Sequence, residues 1–380
     1  LSAATRNTNV KILFDRLIGN GALARGGGGV GIFGGSNDYE VAASVLCSNY
    51  ALEYGAGISH WGRSPGGRIH DNKIYYNEGS GAAGSSGAGI SISEEILQPV
   101  GSNPPPLGTG SGAVDIDRNL IQANNAGDDG GGIFVKRAQG AQVNIRNNMI
   151  VDNLAGDVGG GIMLVDSRNV SIVNNTVASN VTSASSEGTD DQPHGAGLAS
   201  AANSPEWQAT LGPNAKEWSD PVDLFNNVFW QNEAFTLTSH AVGATLVSRG
   251  FMDFEIKGVV APPANPRFTP RFSLLTTAYG TGNGNIVGQD PLFVTPATPD
   301  LSVIGSRLDP QVAAVTITGF NTPLDVPGNF HLTTGSPAID RGPALLTGTL
   351  APTIDYDRES RPVSRSTRPN KWDLGADEVR

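Results

Sequence analysis

The stretch "VNIRNNMIVDN" (residues 143–153) alternates apolar and polar positions and carries two Asn five residues apart. "VDIDRNLIQAN" (114–124), "VSIVNNTVASN" (170–180) and "VDLFNNVFWQN" (222–232) repeat it. Aligned on the last Asn, seven copies end at Asn20, Asn49, Asn77, Asn124, Asn153, Asn180 and Asn232. Eight positions earlier each copy has an aliphatic residue: Ile12, Val41, Ile69, Ile116, Ile145, Ile172 and Leu224. The position before that is polar in every copy, and the position three before the anchor is apolar (Leu17, Leu46, Ile74, Ile121, Ile150, Val177, Phe229). Short alternation, a break and a second short apolar run predict a half-buried strand, a bend and another strand.

Each copy leads into a Gly-rich signal such as "GAGIS" (55–59 and 87–91), "GGGIF" (130–134) or "GGGIM" (159–163), where Gly supplies a left-handed turn before a further strand. Uninterrupted copies are 27–29 residues apart, a repeat length that means a solenoid. A helical solenoid would need a 3.6-residue period and leucine-rich repeats a Leu frame; neither is present. A single-stranded parallel β-helix fits, each copy forming one coil stacked about 4.8 Å from the next. The Asn positions follow from stacking. Asn72, Asn119, Asn148, Asn175 and Asn227 form one column, and Asn77, Asn124, Asn153, Asn180 and Asn232 a second. A side-chain amide both donates and accepts, so each column predicts a structural ladder of stacked amides.

Composition agrees with many tight turns: 50 Gly and 24 Pro in 380 residues, with only 16% charged residues. The net charge of −11 makes nucleic acid and anionic membrane poor partners. Cys47 is the only cysteine, which excludes an internal disulfide and a Cys-based metal site. No apolar run is long enough for a membrane span. The chain begins at Leu1 without a signal peptide, so a processed chain or a fragment is expected. Loop insertions are expected at 79–86, 94–112, 183–193 and 203–221, within a β-helix over 1–235. Residues 236–380 are expected to hold final coils and an irregular β-rich cap. The insertions on coils 3 and 6 are expected to leave coils 4 and 5 as the floor of a shallow groove.

The tail carries "NIVGQDPLFV" (285–294), "FHLTTGSPAIDRG" (330–342), "DYDRESRPV" (355–363) and "DLGADE" (373–378). With these motifs the chain resembles bacterial secreted or surface right-handed β-helix proteins of the choice-of-anchor type, built on a pectate-lyase-like fold. The resemblance covers roughly 285–378; residues 295–328 are an insertion relative to it, and no sorting anchor appears. It implies an extracellular β-helix but no reaction. Handedness rests on the resemblance and on the usual crossover preference.

Three constellations could carry chemistry. The outward column seven before the anchor stacks His70, Asp117 and Arg146 on coils 3 to 5, with Arg68 and Asp115 two residues away on the same face. An acid between two basic groups suits catalysis or sugar binding, and equally a charge ladder that stabilises stacking. Asp128 and Asp157 align in "AGDDGGG" and "AGDVGGG", with Glu53 in their column. Adjacent carboxylates repel unless a cation sits between them, which permits calcium; ordinary Gly-Asp turns would look the same. Trp207 and Trp218, in the coil-6 insertion, could stack on sugars or pack the loop. "GDD" (127–129) and "HG" (194–195) fall short of a polygalacturonase-type set, because no Asn-Thr-Asp precedes and no Arg-x-Lys follows.

Two functional classes remain. One is a non-catalytic surface or filament scaffold or glycan-binding adhesin, whose exposed end-coil edges invite self-association or assembly with other surface proteins. The other is a polysaccharide lyase or glycoside hydrolase working over coils 3–5. A cell-surface glycan or polysaccharide is the expected partner of either.

Overall fold

The computed structural model describes residues 7–23, 26–79, 85–94, 107–139, 142–259, 267–280, 282–318, 328–361 and 371–379. The chain winds into a right-handed parallel β-helix whose coils contribute one strand to each of four sheets. The first sheet has seven strands, from Lys11–Leu13 to Asp223–Phe225. The second has nine, from Arg16–Ile18 through Val228–Trp230 to Leu274–Leu275 and Ile286–Val287. The third begins at Gly21–Ala22 and ends with Glu233–Leu237 paired antiparallel to Leu246–Phe251. The fourth runs from Val30–Phe33 to Phe254–Lys257. Only the third sheet departs from parallel pairing among these four.

Strands stack in the register set by the repeat. Ile116 pairs with Ile69 on one side and Ile145 on the other, and Ile121 with Ile74 and Ile150. These two columns, joined by Ile58, Ile90, Ile133, Ile162 and Leu198 of the fourth sheet, form one continuous apolar core. His60 also faces inward, fully buried. Its ring bonds the Tyr39 hydroxyl (2.8 Å) and the Ser111 carbonyl (3.0 Å), and burial holds its pKa down near about 4. It is a neutral core histidine.

Each bend is a left-handed residue followed by a ladder residue. Asp71, Arg118, Asn147, Asn174 and Asn226 (φ 51–57°) precede the first Asn column, and Tyr76, Ala123, Asp152, Ser179 and Gln231 (φ 51–57°) the second. In that conformation the backbone turns outward and leaves groups that the next amide must satisfy. Asn124 Nδ2 donates to the Ile74 carbonyl (2.9 Å) and to Asn153 Oδ1 (2.9 Å), while Asn124 Oδ1 accepts from both the backbone N–H (3.1 Å) and Nδ2 (2.8 Å) of Asn77. The first column repeats this from Asn72 to Asn227 and continues through Ser273 to Asn285.

The Gly-rich signals contain two different glycines. Gly55, Gly87, Gly130 and Gly159 are left-handed (φ 61–71°), as the turn requires. Two residues later, Gly57, Gly89, Gly132 and Gly161 have ordinary φ, but a Cβ there would stand 2.5–2.7 Å from the next coil's glycine carbonyl. Close stacking, not backbone conformation, demands glycine at that column.

The β-rich C-terminal region closes the structure by folding back along its flank. Phe293, Phe330, Leu332, Leu374 and Ala376 cover the outer face of the second sheet against Leu120, Met149, Val151 and Val228. Ala351 and Trp372 cover Val173 and Phe225 of the first sheet, and Val315 of the Asp300–Gly305/Ala313–Thr318 hairpin packs on Leu154 and Val181. Arg361, whose side chain has no exposure, pins this region by donating to the carbonyls of Asp373, Gly375 and Ala376.

Asn124→Ala should cost about 2–4 kcal/mol, because it strands the Ile74 carbonyl and two donors of Asn77 in the interior. Asn20→Ala, at the solvent-exposed end of the same ladder, should cost under about 1 kcal/mol. Urea unfolding of the two variants beside the parent chain measures the difference.

Candidate functional site

The outer face of the first sheet carries the sequence-predicted column in register: Asp117 pairs with His70 on one side and Arg146 on the other, and Asp115 with Arg68 and Asn144. Together with Arg118, Asn147 and residues 352–354 of the C-terminal region, they line a cleft of about 320 Å³. Ligand pockets start near about 300 Å³, so the space suits a sugar residue. The expected walls differ. The wall beside coils 3–5 is Pro352–Thr353–Ile354, fixed by Asn147 Nδ2 donating to the Ile354 carbonyl (3.0 Å), and not the coil-6 insertion. Most of the coil-3 insertions, at 80–84 and 95–106, lie outside the described residues.

One side of the cleft is a closed ion-pair network. His70 Nδ1 meets Asp71 Oδ2 at 2.6 Å and Nε2 meets Glu40 Oε1 at 2.9 Å, so both ring nitrogens face carboxylates. Asp71 also receives Arg118 (3.0 and 3.2 Å) and Arg358 (2.9 and 2.8 Å), each through two nitrogens. Glu40 is flanked by Lys11 (2.9 Å) and Arg68 (3.4 Å). The electrostatic consequences follow. The hydrogen bond to Asp71 raises the His70 pKa, against burial and with help from Glu40. Burial pushes Asp71 up, but the bonds from His70, Arg358 and Arg118 outweigh it and hold the carboxyl well below its usual range. Bonds from Lys11 and His70 lower Glu40 to about 2.

The other side is open. Arg146 Nη2 donates to Asn144 Oδ1 (2.8 Å), and Asn144 Nδ2 to Asp115 Oδ1 (2.6 Å), but Arg146 Nε is buried with no hydrogen-bond partner. Asp117 is held by Arg118 and by Asn147 Nδ2 (3.2 Å). Burial nevertheless raises its pKa, with Arg118 and Asn147 only partly opposing. The cleft therefore presents guanidinium, amide and carboxylate groups in one small volume.

Sequence reasoning missed Asp71, Arg118 and Asn147. They occupy the bend column between the two strands, where a left-handed residue is expected to be only a turn. The signal was their polarity: three consecutive coils place a charged or amide side chain there, beside the outward column.

The tryptophans are not brought to this cleft. Trp207, on the short helix Pro205–Ala209, is only 3% exposed. Trp207 and Trp218 line a separate space of about 290 Å³ at the turns that precede coils 6 and 7, where Lys216 lies 5.3 Å from the Trp218 ring centre.

Asp128 and Asp157 do stack, Asp157 N–H bonding the Asp128 carbonyl at 2.9 Å. Asp129, which was not singled out as a ligand, joins them: one oxygen from each of the three lies within 4.8 Å of the others. Glu53 is separated from Asp128 by Ser85 in the same column. His194 lies two coils from Asp129. Its ring is committed to Glu255 (3.0 Å) and Asp190 (2.8 Å), and lies 3.5 Å from Asp157.

The pH dependence of stability follows from these shifts. His70, raised above its unfolded value of about 6.5, contributes fully below that pH, and its contribution vanishes as pH climbs through the higher folded value. Glu40 and Asp71, both depressed, contribute fully above about pH 4.5 and lose their contribution as pH falls, Glu40 through about 2. The network should stabilise most between about pH 4.5 and about pH 6.5. In thermal melts across pH, His70→Gln should flatten the alkaline decline and also shrink the acid limb, which Lys11, Arg118 and Arg358 then sustain without the imidazole.

Residues 5–206, more than half of the chain, match the family model described as a right handed beta helix region. No curated protein and no solved structure matches the chain.

Proposed function

The chain belongs to the right-handed β-helix family, and on that scaffold we propose a non-catalytic, glycan-binding protein of the cell surface or extracellular space. The observation that carries this reading is the cleft of about 320 Å³ over coils 3–5, in which Arg68, Asp115, Asp117, Asn144 and Arg146 converge. Rigid strands hold these groups at the inter-coil spacing, and sugars are bound by such fixed arrays of charged and amide hydrogen-bonding groups. Binding is favoured over turnover by the state of His70. Both of its nitrogens are committed to carboxylates, so no lone pair is free to take a proton from a substrate. An extracellular location rests on the tail motifs, and the negative net charge speaks against nucleic acid.

One feature supports a second reading, a polysaccharide lyase or glycoside hydrolase. Burial raises the Asp117 pKa inside a sugar-sized space, the environment a general acid needs.

The two are separated by titrating the protein with neutral and uronate-containing oligosaccharides while following release of reducing or unsaturated ends. On the binding reading, Arg146→Ala and Asp115→Ala each weaken affinity roughly tenfold or more, and no ends are released. Release that disappears in Asp117→Asn and Arg146→Ala would make the protein an enzyme. Absence of any binding would overturn both readings of the cleft.

A further inference from the structure

On the far side of the coil from the glycan cleft, the turns between the third and fourth sheets stack Asp128 and Asp129 of coil 4 on Asp157 of coil 5. We propose that these three carboxylates form a binding site for a hard divalent cation, with Ca²⁺ preferred over Mg²⁺. The proposal is independent of the glycan reading.

The cluster is built, not incidental. One oxygen from each carboxylate lies within 4.8 Å of the other two, a spacing a single ion can bridge. Asp157 is only 8% exposed, and its Oδ1 is buried without a hydrogen-bond partner. Oδ1 of Asp129 is buried and unpartnered in the same way. A buried carboxylate oxygen left without a donor is costly, and an ion is one of the few things that removes the cost.

The charges already present do not fill the site. Lys257 Nζ lies 2.6 Å from Asp157 Oδ2, which leaves Oδ1 without a hydrogen bond. The His194 ring lies 3.5 Å from Oδ1, and its two nitrogens are held more closely by Glu255 and Asp190. Asp128 Oδ1 accepts from the Ser186 hydroxyl (2.7 Å), a neutral donor. Lys257 and the His194 ring both reach Asp157, and neither is ion-paired to Asp129 among the described residues.

The donor set selects the ion. All three ligands are oxygens, and the ring of His194, beside Asp157, is turned to Glu255 and Asp190, so the site suits Ca²⁺ better than zinc or copper. The ligands sit on two stacked turns whose spacing is set by the coil, not by an octahedron. Ca²⁺ tolerates irregular geometry of this kind, whereas Mg²⁺ does not. The rigid scaffold would supply the carboxylates, and water the remaining ligands.

The test uses the full chain freed of metal with a chelator, then titrated with CaCl₂ and MgCl₂ by calorimetry and thermal melting. Tb³⁺ serves as a luminescent probe, because Tyr54, whose hydroxyl senses the Asp128 and Asp129 charges, can sensitise it. The expected result is Ca²⁺ binding with a raised melting temperature, weaker Mg²⁺ binding, and affinity reduced roughly tenfold or more in Asp129→Asn and Asp157→Asn. Asp129→Asn breaks no ion pair, so it keeps the test decisive if loss of the Lys257 partner unfolds Asp157→Asn. Two carboxylate–histidine groups are also described, and Asp357→Asn controls for His331, Asp357 and Asp377, while Asp190→Asn controls for Asp157, Asp190 and His194, which should bind no ion of its own. The proposal fails if no Ca²⁺ effect appears up to about 10 mM, beyond the weakest extracellular calcium modules. It fails equally if binding survives both Asp129→Asn and Asp157→Asn but is lost in Asp357→Asn.

Discussion

The stacked asparagine amide is the interaction on which the rest of the structure depends. A coil that turns twice within ten residues must place two residues in the left-handed region, and at each bend a strand's hydrogen-bonding row is interrupted. An amide, with donor and acceptor on one planar group, serves the coil before it and the coil after it at the same spacing as the backbone, a place that the hydroxyls of Ser44 and Ser273 take toward the ends of the first column. Asn148 does so by bonding the Ile116 carbonyl, Asn175 and the backbone N–H of Asn119. The strands on either side of Asn148 are four and three residues long and would not persist alone. The ladder makes their ends as well satisfied as their middles.

Because the ladder fixes register, it also fixes what stands outward. Residues one and two positions before an amide project beside their counterparts on the next coil, and a column of mixed charge becomes a cleft or a network without any further folding decision. His70, Asp117 and Arg146 meet in this way. The same rule brings Asp128 and Asp157 into contact on the opposite edge, where the turns stack as regularly as the strands.

What could be read from the sequence was whatever repeats. The apolar columns, the amide ladders and the outward column over coils 3–5 all follow from the 27–29-residue period, and each occupies its expected place. What does not repeat stayed hidden. Arg118 and Asp71 looked like turn residues because their backbone role is that of a turn, although their side chains hold the cleft's network together. The role of Pro352–Ile354 as a wall could not be read at all. It depends on docking between segments more than 200 residues apart, and no local pattern encodes that. Trp207 was open to two readings, sugar stacking or loop packing, and its burial goes with packing.

The returning C-terminal region has a consequence for the order of folding. Coils of a solenoid touch only their neighbours, so they can form progressively as the chain emerges and can also fray progressively. Arg358, however, clamps Asp71 across 287 residues, and Asn147 holds Ile354 across 207. These contacts tie early coils to a segment far along the sequence, and they turn a one-dimensional stack into a cooperative unit. The cleft is therefore complete only when residues 352–358 have docked on coils 3 to 5. Coils wound without that docking would leave the cleft without its Pro352–Ile354 wall and Asp71 without Arg358, so the shape of the cleft reports whether these distant segments have closed on each other.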